Sequence, residues 1–197
     1  MRVLVACEYS GVVRDAFIAK GHDAISCDLL PTDSPGPHYQ GDVFDLMWHE
    51  WDLMIAHPPC TYLSNSGVRW LHTQEGRWDK MRAGAEFFRR LLNAPISRIA
   101  VENPIQHKYA TEIIGPKADQ YIQPWEYGHP ETKRTGLWLK HLPPLVPTNN
   151  VREHMMTLST AERNRVHYAS PGPDRWKLRS TTYAGIATAM AEQWGSL

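Results

Sequence analysis

An α/β fold built on a doubly wound, mostly parallel sheet with helices on both faces is predicted by three features of the sequence. Short apolar runs alternate with segments of helical spacing. The runs are continuous rather than alternating, as strands buried on both faces require. Side chains capable of chemistry sit directly after several of them, where parallel strands place ligands.

Val3-Leu4-Val5-Ala6 reads as a first buried strand. Over residues 11–20, Val12, Val13, Ala16, Phe17 and Ala19 follow the 3.6-residue period, and Gly21-His22 closes that helix. Ala24-Ile25-Ser26-Cys27 forms a second strand ending at Asp28, and Pro31, Ser34, Pro35, Gly36 and Pro37 mark a loop. Gly41-Asp42-Val43-Phe44 reads as a turn near the rim. Leu53 to Ala56 is the next strand; Pro58-Pro59 cannot donate ladder hydrogen bonds, so the chain leaves the sheet just before Cys60. Residues 79–92 form an amphipathic helix with Met81, Ala85, Phe88 and Leu92 along its apolar stripe. Ile99-Ala100-Val101 is a buried strand stopped by Glu102-Asn103-Pro104, and Tyr121-Ile122-Gln123 and Gly136-Leu137-Trp138-Leu139 complete the strands. The tail from Tyr183 to Trp194 is helical, with Ile186, Met190 and Trp194 on one face. Right-handed βαβ connections then follow.

Residues 1–142 together with 183–197 are expected to make one domain, with 143–182 a small basic insertion. There Arg152, Arg163, Arg165, Arg175, Lys177 and Arg179 outnumber Glu153, Glu162 and Asp174. The 197 residues can bury a substantial core, and 42% hydrophobic with 21% charged residues excludes a disordered chain. With 21 basic and 21 acidic side chains the net charge is +0, so any nucleic-acid contact must come from a local patch. Cys7, Cys27 and Cys60 form neither a disulfide framework nor a zinc spacing, which implies reduced thiols in a cytoplasm and no metal. No apolar run is long enough to span a membrane.

Three strand exits carry chemistry: Asp28, Cys60 and Glu102. If the strands are parallel, all three face one rim. Each has a plainer alternative, as a buried structural thiol, a helix cap or a turn. The loop Cys7-Glu8-Tyr9-Ser10-Gly11 has a single glycine, so it lacks the dinucleotide fingerprint. An acidic residue after the second strand suits ribose hydroxyls, which favours an adenosine-containing cofactor without a bound pyrophosphate.

Pro58-Pro59-Cys60 and Glu102-Asn103-Pro104, forty-two positions apart, resemble the nucleophile and Glu-Asn motifs of the DNA cytosine C5-methyltransferases. Arg14-Asp15-Ala16-Phe17 after Gly11 resembles the helix following that family's cofactor loop, and residues 185–191 its closing motif. The likeness covers about residues 1–142 and 183–195. It departs in the cofactor loop, which has only Gly11, and in the motif that supplies a cation, where Lys133 or Arg134 would serve. The segment before the closing motif is also much smaller than a target-recognition domain, so weak sequence selectivity is expected.

The resemblance implies a class I methyltransferase-like, Rossmann-like fold and S-adenosylmethionine as donor, held by Cys7, Glu8, Tyr9, Ser10, Gly11, Asp28, Leu29, Asp42, His57 and Pro58. It implies that Cys60 attacks carbon 6 of cytosine as a thiolate, that Glu102 binds the ring nitrogen and exocyclic amine, and that Asn103 orders the loop. Positive potential for the thiolate would come from His57, from a helix N-terminus after Cys60, or from Lys133 or Arg134. The implied partner is DNA in a bacterial or phage-infected cytoplasm, duplex or single-stranded, with Thr61, Tyr62, Ser64, Asn65 and the segment Arg175-Trp176-Lys177-Leu178-Arg179 as candidate contacts. Rival readings are a transferase acting on a free pyrimidine nucleotide or with another one-carbon donor, and a catalytically silent nucleic-acid-binding relative.

Overall fold

The computed structural model describes residues 1–197. Seven strands form one sheet: β1 (Arg2–Ala6), β2 (Asp23–Asp28), β3 (His38–Gln40), β4 (Leu53–Ala56), β5 (Arg98–Pro104), β6 (Gln120–Ile122) and β7 (Thr135–Lys140). Their order is β3-β2-β1-β4-β5-β7-β6. β1 pairs in parallel with β2 and β4, β2 with β3, and β4 with β5; β7 runs antiparallel to both β5 and β6. This doubly wound order, with one reversed strand next to the far edge, is the class I methyltransferase-like variant of the Rossmann fold. The carboxyl ends of β1, β2, β4 and β5 therefore open on the same rim.

Side chains of successive strand residues point to opposite faces, and the sheet uses both. Leu4, Ala6, Met54, Ala56, Ile99 and Val101 pack with helix α2 (Arg77–Leu92) and helix α3 (Lys108–Ile114). Val3, Val5, Leu53, Ile55 and Ala100 pack with helix α1 (Val12–Ala19) and helix α8 (Ala184–Trp194). On α2 the stripe is completed by Leu91 rather than Leu92, which is only partly buried. Along the chain, four short helices separate β7 from α8: α4 (Arg152–Thr157), α5 (Thr160–Arg163), α6 (Arg165–Tyr168) and α7 (Arg175–Ser180).

Three elements differ from expectation. β5 does not stop at Glu102 but continues through Pro104, because β7 pairs with it in the register Glu102↔Leu137, Asn103↔Gly136 and Pro104↔Thr135. β3 is an edge strand of three residues, too short to show a period, and α3 follows the β5 exit where no helix was read.

Arg14 is fully buried, and its guanidinium donates to Ser26 Oγ (3.1 Å), Thr32 Oγ (3.3 Å) and the Ser34 carbonyl (3.0 Å). It thereby ties α1 to the β2–β3 loop. Gly11 has φ 76° and packs against this guanidinium, so a Cβ there would collide with Arg14 Nη2. The glycine serves the turn and the buried arginine, not only the approach of a ligand. Gly185 is similarly constrained: its amide donates to His129 Nε2 (2.9 Å), and a Cβ would strike the Tyr127 carbonyl.

Trp194 closes the second core with no exposed surface and donates its indole N–H to the Pro143 carbonyl (3.0 Å). Trp194→Ala should lower unfolding free energy by about 3–5 kcal/mol in urea denaturation, the usual cost of truncating a buried aromatic. A loss below about 1 kcal/mol would show that α8 is not part of the cooperative core.

Candidate active site

The β4 exit is held against β5 by two side-chain hydrogen bonds. His57 Nδ1 lies 2.9 Å from Glu102 Oε2, with both side chains largely buried, and Asn103 Nδ2 donates to the Pro58 carbonyl over 2.8 Å. Glu102 and Asn103 project from a strand rather than a mobile turn, so their positions are set by the β5–β7 register. Cys60 follows, partly buried, and its carbonyl accepts from the Leu63 and Ser64 amides, both at 3.0 Å. The thiol therefore sits at the head of a tight turn leading into the 3-10 segment Asn65–His72.

Burial acts to raise the pKa of Glu102, but the His57 hydrogen bond and charge, Lys133 and the Thr135 hydroxyl together hold it below the usual carboxylate range. An ionised Glu102 only accepts, so His57 Nδ1 carries the donated proton. His57 Nε2 is then left buried without a partner. Because the folded-state value lies below that of the unfolded chain, the carboxylate stabilises the fold above the unfolded value; that stability is lost as pH falls through the folded value.

The Cys60 thiol is pushed up, first by burial and then by the negative charge of Glu102, against smaller downward effects of Lys133 and Arg179. Glu102, Lys133 and Arg179 thus all bear on one sulfur. Cys27 is pushed up to about 12 and Cys7 further still, by burial and by carboxylates that include Asp28 and Asp42. All three thiols are held in the neutral form at pH 7.

Lys133 is the cation that reaches the cluster, and its ammonium also lies 5.8 Å from the Tyr183 ring centroid. Arg134 is turned away, its guanidinium 4.5 Å from the centroid of Tyr121 on β6. The sequence gives no signal for Thr135, a strand residue by pattern, and offers Arg179 only as a nucleic-acid contact within the basic run, not as a neighbour of Cys60.

At the β1 exit, Glu8 is buried and its carboxylate accepts from the Val13 (2.7 Å) and Arg14 (3.2 Å) amides and from Ser10 Oγ (3.2 Å). It serves the orphan donors at the start of α1. Asp28 Oδ1 accepts from the Leu30 amide (3.0 Å), and Leu29 beside it is 74% exposed. Asp42 caps the turn Val43–Asp45 by accepting from the Phe44 amide (2.9 Å).

A small cavity of about 40 Å³ is lined by Cys7, Glu8, Tyr9, Ser10, His57 and residues after the basic run, Ser180 and Thr182. α7 closes it. Tyr9 Oη donates to the Lys177 carbonyl (3.3 Å) and lies 3.2 Å from Ser180 Oγ, while its ring stands 5.1 Å from Trp176. Lys177 pairs with both oxygens of Asp33 at 2.9 Å, and Arg175 donates to the Ala169 carbonyl (2.8 Å). The basic run is thus largely engaged within the protein rather than spread as a free cationic surface.

No protein-family model matches the chain, and no curated protein does either. Among solved structures it is similar to a protein described as a DNA modification methyltransferase encoded within an Escherichia coli prophage: 15% identity, TM-score 0.45, covering 71% of this chain and 46% of that one. It is also similar to the Entamoeba histolytica methyltransferase EhMeth, with 14% identity and a TM-score of 0.48 over 76% of this chain and 57% of that one. A third is WbdD, solved with a kinase inhibitor, with 12% identity and a TM-score of 0.40 over 74% of this chain and 37% of that one. This chain thus spans between 37% and 57% of the length of these proteins. Its fold class rests on the strand order and register.

The electrostatics predict slow chemistry at Cys60 in the free protein. Alkylation by iodoacetamide, followed by peptide mass spectrometry, should be slower at pH 7 than for a free thiol and should accelerate as pH rises and thiolate forms. Glu102→Gln removes the adjacent negative charge and should speed it. Fast alkylation at pH 7, or slower alkylation in Glu102→Gln, contradicts this arrangement.

Proposed function

We propose that this protein is an S-adenosylmethionine-dependent DNA cytosine C5-methyltransferase working through a covalent adduct of Cys60. The observation that carries this reading is the pinning of the Cys60 turn onto Glu102 and Asn103 by the His57–Glu102 and Asn103–Pro58 hydrogen bonds, at the carboxyl rim of a class I-like sheet. A thiol with a carboxylate close enough to bear on its ionisation suits a planar heterocycle attacked by sulfur and held at its ring nitrogen.

The residues at the β1 and β2 exits fit an adenosyl group. Asp28 has one carboxylate oxygen engaged by Leu30, leaving the other for a ribose diol, and Leu29 offers an uncovered apolar side chain for a purine. The cavity of about 40 Å³ beside Tyr9 is far below the roughly 300 Å³ at which ligand pockets begin, so a donor reaching from Asp28 into it would displace α7 from Tyr9. S-adenosylmethionine would supply the electrophilic methyl group.

Proton handling follows from the two pKa directions. Cys60 rests as a thiol beside an ionised Glu102, so the thiol proton passes to the carboxylate as sulfur bonds to carbon 6. Glu102 then gives that proton to ring nitrogen 3, which receives the electron pair displaced from the ring. Carbon 5 becomes enamine-like and can accept the methyl group. A base, for which bound water is a candidate, takes the carbon-5 proton, the re-formed carbon 5–carbon 6 double bond expels Cys60 as thiolate, and the nitrogen-3 proton returns to Glu102. Lys133 and His57 steady Glu102 while its charge changes. A duplex substrate would have to flip its target base into the rim, whereas a single strand or a nucleotide presents it directly.

DNA containing 5-fluorocytosine should trap a covalent complex through Cys60, because carbon 5 then has no removable proton. Cys60→Ala should abolish labelled methyl transfer while leaving S-adenosylhomocysteine binding within a few-fold, since the sulfur acts on the base. Assays on duplex DNA, single-stranded DNA and dCMP side by side identify the substrate. Methyl transfer surviving in Cys60→Ala overturns the mechanism.

A further inference from the structure

The loops leaving β4 and β5 zip together beyond the thiol. The Asn65 amide donates to the Ile105 carbonyl (2.9 Å), the His107 amide donates to the Leu63 carbonyl (3.0 Å), and Ser64 bridges to Gln106. Against this seam lies an open cavity of about 470 Å³, well within the range of ligand pockets. It belongs to the same rim as Cys60, whose carbonyl accepts from the Leu63 amide.

The lining has a consistent chemistry. Arg69, His72 and Lys108 contribute basic groups and no lining residue is acidic. Tyr109 offers an aromatic surface braced by Trp78 at 4.9 Å and His72 at 6.0 Å between ring centroids. Gln106 has both amide atoms, Nε2 and Oε1, buried and without a partner. His107 beside it is fully engaged: its Nδ1 accepts from the Ala110 amide (3.1 Å), so Nε2 carries the proton donated to the Tyr62 carbonyl (2.9 Å). A buried amide with donor and acceptor both unpaired is costly, and a ligand that brings the complementary pair removes that cost. A nucleobase edge is such a pair, adenine matching glutamine through its N6 and N7 atoms. Cations flanking an aromatic surface suit a phosphodiester and a stacked base.

We propose that this cavity holds the nucleotide adjoining the target base on the same strand, with its phosphate on Arg69 and Lys108 and its base edge on the Gln106 amide. The assignment rests on the nucleic-acid reading under Proposed function. It gives the small protein a way to sense the neighbouring base from the loops that carry the nucleophile. A free nucleotide offers the same phosphate chemistry, so the test includes both.

Binding is measured by anisotropy of fluorescent single-stranded oligonucleotides that differ only at the base next to one cytosine, over a salt series, with dCMP as competitor. Arg69→Ala combined with Lys108→Ala should weaken binding by roughly tenfold and reduce the salt slope by about 1.4, the contribution of two single-strand phosphate contacts. S-adenosylhomocysteine binding should be unchanged in that variant, which reports an intact fold. Gln106→Leu should alter the ranking among neighbouring bases and leave the salt slope intact. Unchanged affinity and slope in the double variant overturn the assignment. So does dCMP that displaces the oligonucleotide and is itself weakened by the double variant, which would make this a mononucleotide site. If 5-fluorocytosine DNA traps on Cys60 but the double variant binds normally, only the cavity assignment fails. If the double variant loses binding but nothing traps on Cys60, the catalytic reading fails and the cavity assignment stands.

Discussion

The hydrogen bond between His57 and Glu102, at 2.9 Å, is the contact on which the rest of the rim depends. Parallel pairing brings β4 and β5 side by side only as far as Ala56 and Val101. Beyond that the chain from β4 turns through two prolines that donate nothing, and without further ties it would swing free. His57 and the Asn103–Pro58 bond supply the side-chain ties nearest the thiol, and the Asn65–Ile105 and His107–Leu63 backbone bonds hold the loops beyond it. The His57–Glu102 bond, with its ionised acceptor, contributes on the order of 1.5–3 kcal/mol, against a desolvation cost that burial of the pair imposes. The chief effect of the two side-chain ties is positional: they fix which way the Cys60 turn faces.

The same contact sets the charge state of the site. Burial alone would favour a neutral Glu102, and the neighbouring His57 and Lys133 reverse that preference. An ionised Glu102 in turn keeps Cys60 protonated. At rest the proton is therefore on sulfur and the charge on the carboxylate. On the proposed function, a heterocycle taking that proton at its ring nitrogen would tie activation of the thiol to the arrival of substrate.

The parallel strands were legible because burial on both faces writes itself as unbroken apolar runs such as Leu53 to Ala56, and the double proline marks where that run must end. The extension of β5 through Pro104 was not, since an Asn-Pro pair reads locally as a turn and only the partner strand β7 overrides it. β3 and α3 are too short for their period to rise above neighbouring loop residues. At the site, Glu102 and Asn103, read as a strand stop, lie within β5 itself, whereas Cys60 could be placed from a strand exit. The choice between Lys133 and Arg134 could not, because it depends on the register of β7 against β5 and on Tyr121 taking the arginine. Nor could the seat of α7 on Tyr9, a contact between residues far apart in sequence.

On the proposed function, one cleft formed by the exits of β1, β2, β4 and β5 would receive the adenosyl donor and the base together. The most direct test is a crystal structure of the protein with S-adenosylhomocysteine. The expected result has the ribose on Asp28, the purine against Leu29, α7 displaced from Tyr9, and the sulfur directed toward Cys60 across a gap the width of a nucleobase. A nucleoside bound away from these strand ends, with α7 still seated on Tyr9, would contradict it.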